Sequence, residues 1–170
     1  MKVIFLDVDG VLNSDKSLMT DDALEEALIL NLKQLVEQTN AKIILSSAWR
    51  MCFGPLRTLM SWLDRADLHL SGMTPNGVRV DWLKEQGYTP TRKYLDVFDD
   101  YNGNEYEVTT DRGAEILKWL SDHKDVESFV ILDDEAVDIT PYFPNNFIKT
   151  DFRVGLTEEK AREAFNILWR

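Results

Sequence analysis

Two aspartates, Asp7 and Asp9, stand one residue apart where an apolar run ends in VIFLDVDGVLN. A second acidic pair, Asp133 and Asp134, closes another apolar run in SFVILDD, with Asp138 shortly after. Two hydroxyls, Ser46 and Ser47, close a third in KIILSS. Carboxylates brought together repel one another and raise one another's pKa, so a cluster of them calls for compensation. A hard divalent cation compensates it, and Mg²⁺ favours oxygen ligands with retained waters. Each piece alone has an ordinary reading. Asp-x-Asp-Gly is commonly a solvated turn, Ser-Ser a loop start, and Asp-Asp after an apolar run a loop. A calcium loop opening at Asp7 fails at Val11, where a ligand should stand. It is the placement of all three at strand ends that points to a metal-holding site.

Arg112 adds a separate signal at the start of the helical pattern RGAEILKWL. A cation in the first turn opposes the helix dipole, where an acid would be preferred. A guanidinium beside a helix amino end makes a good phosphate site. Lys118, one and a half turns later, is the rival base.

These residues need elements to position them. Short β-rich runs alternate with helical patterns, which is the mark of an α/β sheet. Lys2–Leu6, KIILSS, SFVILDD and NNFIKTD read as strands, and DLHLSG as a further one. TDDALEEALILNLKQLVEQT reads as a helix with Thr20 as N-cap, FGPLRTLMSWLDRA as another. LTEEKAREAFNILW closes the chain, with Thr157 as N-cap and two acids in its first turn. In a parallel sheet the carboxyl ends share one edge, where open α/β folds bind ligands, so Asp7, Asp9, Ser46, Asp133 and Asp134 are expected to converge. Residues 76–110 read as an insertion or small cap on a single domain spanning 1–170. VRVDWLKEQGY is helical and stopped by Gly87, and YNGN between β-prone runs signals a hairpin.

With these residues assembled, the chain resembles the haloacid dehalogenase-like (HAD) phosphatase superfamily. FLDVDGVLN looks like its first motif, IILSS its second, Arg112 stands where the third supplies a base, and ILDDEAVD looks like its fourth. FLDVDGVLN, ILSSAWR, GMTP, RGAEILKWL, FVILDD and TDFRVGLTEEKA are similar to the HAD domain of Swiss Army Knife RNA repair proteins. The resemblance implies a Rossmann-like HAD fold, mostly parallel with helices on both faces, and Mg²⁺-dependent phosphomonoester hydrolysis. It implies that Asp7 is the nucleophile that becomes an aspartyl-phosphate, and that Asp9 serves as general acid and then as base. Ser46 would bind phosphoryl oxygens and Arg112 would steady them. Mg²⁺ would be held by Asp7, the Asp9 carbonyl and Asp134, with Asp133 and Asp138 beside them or as alternative ligands. The third motif usually carries lysine; arginine keeps the charge and the donors that phosphate binding needs. Gly10, Ser47, Trp49 and Arg50 are candidate substrate contacts. Further along the lid segment 51–110 stand Arg57, Trp82, Arg92 and Tyr94; aromatics there could stack on a base, while core packing is the ordinary role of Trp49 and Trp82.

Composition bounds the partners. The 170 residues carry a net charge of −11, which argues against an extended nucleic-acid surface. A local basic site for one phosphate is compatible with that charge, so the expected partner is a phosphorylated small molecule or a nucleic-acid terminus. The apolar runs are too short to span a bilayer, and the first meets Asp7 too early for a signal peptide. The lone Cys52 cannot form an internal disulfide, and a cytoplasmic location is expected. Other readings are a phosphatase of small non-nucleotide metabolites, a receiver-like phosphoacceptor, and an inactive binding module. Receivers place the acceptor on a middle strand, whereas the order here is acid pair, serine, arginine, acid pair; the intact Asp7 and Asp9 speak against the inactive module.

Overall fold

The computed structural model describes residues 1–20 and 22–170, with Leu18 described through its backbone alone. In chain order the elements are β1 (Lys2–Leu6), α1 (Glu26–Thr39), β2 (Lys42–Leu45), α2 (Phe53–Arg65), β3 (Leu70–Met73), β4 (Val78–Arg79), α3 (Val80–Glu85), β5 (Asp96–Asp99), β6 (Glu105–Thr109), α4 (Arg112–Asp122), β7 (Ser128–Asp133), β8 (Phe147–Lys149) and α5 (Glu158–Leu168). Short 3-10 turns occupy Ser17–Met19 and Ala48–Met51.

Five strands form one sheet in the order β3-β2-β1-β7-β8, and every neighbouring pair is parallel. The register places Leu6 between Leu45 and Leu132. The residues that follow, Asp7, Ser46 and Asp133, therefore stand side by side at the carboxyl edge. Two ladder bonds extend the pairing to them: Ser46 N–H donates to Leu6 O at 2.8 Å, and Asp7 N–H to Leu132 O at 2.9 Å.

The strands are apolar on both faces, as parallel strands are. Ile4, Leu6, Ile43, Leu45, Val130 and Leu132 share a core with Leu32 and Leu35 of α1, Leu59 and Leu63 of α2, and Ala164 and Leu168 of α5. Val3, Phe5, Ile44 and Ile131, which alternate with them, are buried as well. Each buried aliphatic side chain contributes about 1.5–3 kcal/mol. Holding a carboxylate out of water costs several kcal/mol, at least ~3. The strands therefore hold Asp7 and Asp133 in place against that cost.

The helix expected from Thr20 starts later, at Glu26, with Glu25 as its N-cap residue. Thr20 instead closes the Ser17–Met19 turn, its N–H donating to Ser17 O. The reason lies in the competing polar contacts of the loop. The Glu25 carboxylate accepts from Ser14 Oγ and from Ser17 Oγ, and Glu25 N–H donates to Leu12 O, so the chain before α1 is drawn onto the Asp7–Asp9 loop. Asp21, within the expected helix, lies outside the described residues.

The chain divides into two compact units: Met1–Met73, Asp125–Glu135 and Asn146–Arg170 form the first, Thr74–Lys124 and Ala136–Asn145 the second. The second contains an antiparallel sheet in the order β4-β6-β5, together with α3 and α4. Its hairpin joins β5 to β6 through residues 100–104, where Asp100 Oδ1 accepts from the N–H groups of Asn102 and Asn104. The helical pattern expected over 78–88 begins as β4 and is shorter as a helix, ending before Gly87, whose φ is +86°. Val78, Leu83, Ala114 and Tyr142 form this unit's core. Gly113 is required there, because a Cβ would lie 2.3 Å from Tyr142 Cδ2 and 2.6 Å from Asp138 O. Among the described residues, no helix is long and apolar enough to cross a membrane.

Candidate active site

Asp7, Asp133 and Asp134 each offer one carboxylate oxygen, and these atoms lie within 4.8 Å of one another. Asp7 and Asp133 are buried, and Asp134 is partly so. Burial, and then the charges of Asp7, Glu135 and Asp9, hold the Asp134 carboxyl above its ordinary pKa, as like charges set close together do. The backbone brings it closer still. Gly10 has φ +68°, and a Cβ there would sit 2.6 Å from the Asp134 carboxyl carbon. Only glycine lets that carboxyl approach.

The donor set is all oxygen, which suits a hard cation. Asp7, Asp133 and Asp134 would hold such a cation, since their oxygens lie within 4.8 Å of one another. The residues present fit the group.

Asp9 is set apart from that cluster. Its Oδ1 accepts from Asn13 Nδ2 at 2.8 Å and its Oδ2 from Trp49 Nε1 at 2.9 Å. Asn13 Oδ1 in turn accepts from Gly10 N–H at 2.9 Å, which ties the acid to the turn that follows it. The Trp49 ring packs against the core while its N–H reaches the acid.

Ser46 is buried at the end of β2, and its Oγ has no hydrogen-bond partner among the described residues. A buried hydroxyl without a partner is costly, and it is a group for a ligand to satisfy. Ser47 and Arg50 serve the adjacent turn: Ser47 Oγ accepts from Trp49 N–H at 3.3 Å, and Arg50 Nη1 donates to Ser47 O at 2.6 Å.

Arg57 lies on α2 of the first unit, and the remaining sequence candidates lie in the second. Arg112 is the first residue of α4, and its N–H donates to Asp138 Oδ2 at 3.1 Å. Asp138 also pairs with Arg92 Nη2 at 3.4 Å, so its carboxylate is engaged within that unit. Lys118 pairs with Asp122 one turn along the helix and lies 5.5 Å from the centre of the Trp82 ring.

Three residues escaped sequence reasoning. Asn13 lies inside the quoted first motif, and nothing in its type announces that it holds Asp9. Thr150 follows β8; its N–H donates to Asp133 O at 3.0 Å, and its buried Oγ1 has no partner among the described residues. A strand ending on Thr-Asp was the available signal. Asp111 is buried before α4, its Oδ2 accepting from Thr91 N–H at 2.6 Å and Tyr142 OH at 2.9 Å. Burial and this carboxylate push the Tyr142 phenol well above its usual pKa.

The family model describing the HAD domain in Swiss Army Knife RNA repair proteins matches residues 3–161. No curated protein and no solved structure matches the chain.

Proposed function

Because this chain belongs to the family of HAD domains in Swiss Army Knife RNA repair proteins, we propose that it is a Mg²⁺-dependent phosphomonoesterase working through an aspartyl-phosphate. The observation that carries this reading is the buried Asp7 within 4.8 Å of Asp133 and Asp134, with Asp9 held by its own donors two residues on. Asp7, Asp133 and Asp134 would hold Mg²⁺, with the Asp9 carbonyl as a further oxygen ligand. Held there, such an ion would supply neutralisation of charge on the transferring phosphoryl group.

The chain's own residues divide the remaining work. An Asp7 carboxylate oxygen attacks phosphorus and the ester P–O bond breaks. The leaving alkoxide takes its proton from Asp9. A water then attacks the aspartyl-phosphate, giving a proton back to Asp9 and releasing inorganic phosphate. Splitting the displacement in two matters because phosphate monoesters hydrolyse so slowly that enhancements approach ~10²¹. Ser46 Oγ is the unpartnered hydroxyl at that edge, and it would donate to a phosphoryl oxygen. The family resemblance gives Arg112 the role of steadying the same group.

The substrate proposed is a nucleotide or a nucleic-acid end phosphate, which the family's description supports. The net charge of −11 supports a second reading, small phosphorylated metabolites. Trapping tests the mechanism. An Asp9→Asn variant incubated with p-nitrophenyl phosphate and Mg²⁺ and quenched in acid should carry one phosphoryl group, mapped by mass spectrometry to Asp7. Full turnover by Asp7→Asn would sink the proposal.

A further inference from the structure

The exposed side of α2 has no role in the chemistry proposed above. Phe53 and Met60 are 80% and 52% exposed there, and Arg57 and Asp64 are exposed as well. At 3.6 residues per turn these four positions fall within about 60° of one another, so they form one stripe along the helix. Beside the stripe runs a groove of about 660 Å³, lined by Leu56, Leu68 and Leu70 as well as the stripe itself. Its far wall is β3, the edge strand of the parallel sheet. Apolar surface gathered in this way marks an interaction site more often than chance.

We infer that this stripe is a self-association face that pairs two copies of the chain about a two-fold axis crossing α2 beside Met60. The charges name the occupant. Arg57 and Asp64 stand seven residues apart, and neither has an ionic partner among the described residues. Two antiparallel copies of α2 crossing beside Met60 bring Arg57 of one copy against Asp64 of the other, twice, once on each side of the axis. The same operation sets Met60 near the partner's Ser61. A two-fold interface must be complementary to itself. This stripe is so in charge, since cation meets acid on both sides of the axis. The chain's net charge of −11 opposes association at long range, so a face carrying one charge of each sign is where two copies can meet.

Charge reversal tests the pairing. The full chain is examined by sedimentation at about 100 μM, where a dimer with Kd ~10⁻⁵ M is well populated. Wild type should sediment as a dimer. Arg57→Asp and Asp64→Arg should each sediment as monomers, because each variant sets like charges across both contacts. An equimolar mixture of the two variants should recover the dimer, since every contact is then between opposite charges, and recovery also shows that both variants fold. A monomeric wild type at this concentration overturns the inference, leaving the groove to some other occupant such as an extended peptide added to β3. Dimers retained by both single variants, or a mixture that stays monomeric, overturn it as well.

Discussion

The indole N–H of Trp49 donates to Asp9 Oδ2 at 2.9 Å, while Asn13 holds the other oxygen of the same carboxylate. Trp49 follows the serine pair at the end of β2, and Asp9 follows β1, so this bond joins two neighbouring strand ends. An aromatic beside a candidate phosphate site suggests base stacking, yet here the ring packs on the core and its N–H holds a carboxylate.

Replacing Trp49 by Phe keeps the ring and removes the donor. If Asp9 protonates the leaving group, its misorientation matters most when that group is a poor one. Turnover of an alkyl phosphate should fall about 10-fold, the cost of one lost hydrogen bond to a charged group. Turnover of p-nitrophenyl phosphate, whose leaving group needs little help, should barely change. Equal losses on both substrates would assign Trp49 to substrate binding instead.

Asp134 links the site to pH. Its carboxyl is held above its ordinary value of 3.8 by burial and by Asp7, Glu135 and Asp9. Between the unfolded and the raised folded values, the folded state therefore binds more of this proton than the unfolded chain does. The sign follows: this group's contribution to stability is fully present below the unfolded value and is lost as pH rises through the raised folded value. In metal-free protein, the Tm of wild type should gain on that of Asp134→Asn as pH is lowered through this window. Mg²⁺ should raise the wild-type Tm more at pH 7 than at pH 5, because the ion binds ionised carboxylates and competes with the proton. Calorimetry with and without the ion checks both, and a Tm difference that does not vary with pH would refute the account.

Gly113 is a test of packing. Its backbone conformation suits any residue, but a methyl group would meet Tyr142 and the Asp138 carbonyl. Gly113→Ala should cost about 1–3 kcal/mol through overpacking, read as a fall in the denaturation midpoint. Gly54, with nothing near its missing Cβ, is the control, and Gly54→Ala should not destabilise.

The parallel sheet and its polar edge were legible because the signals are local. Apolar runs ending on Asp7, Ser46 and Asp133 put side chains of known type at known ends, and parallel register did the rest. The start of α1 was not legible. Thr20 has the right type for a cap, but Glu25 is drawn to Ser14 and Ser17, contacts that no helical periodicity encodes. The roles of Asn13 and Trp49 were hidden for a similar reason, since each depends on where a side chain points after the strand has ended. Arg112 was read from the helix dipole, and the structure adds that its N–H caps onto Asp138, a contact between residues far apart in sequence.

The substrate class can be read from salt. Neutralising Z phosphates of a single strand makes log K fall with log salt at a slope of about −0.7Z. A nucleic-acid end should therefore be bound with a slope set by the few cations that reach the adjoining phosphates. Lys93 is one candidate, exposed and without an ion pair among the described residues, with its Nζ 5.7 Å from the centre of the Tyr94 ring. If it contacts an oligonucleotide, Lys93→Ala should flatten the slope by about 0.7 while leaving p-nitrophenyl phosphate turnover unchanged. If mononucleotides are the substrate, wild type and Lys93→Ala should share a shallow slope, and oligonucleotides should be turned over poorly. Measuring KM for a phosphorylated oligonucleotide and for a mononucleotide across a salt series separates the two. Efficient turnover of sugar phosphates with none of any nucleotide or oligonucleotide would favour the metabolite reading and leave the aspartyl-phosphate chemistry standing.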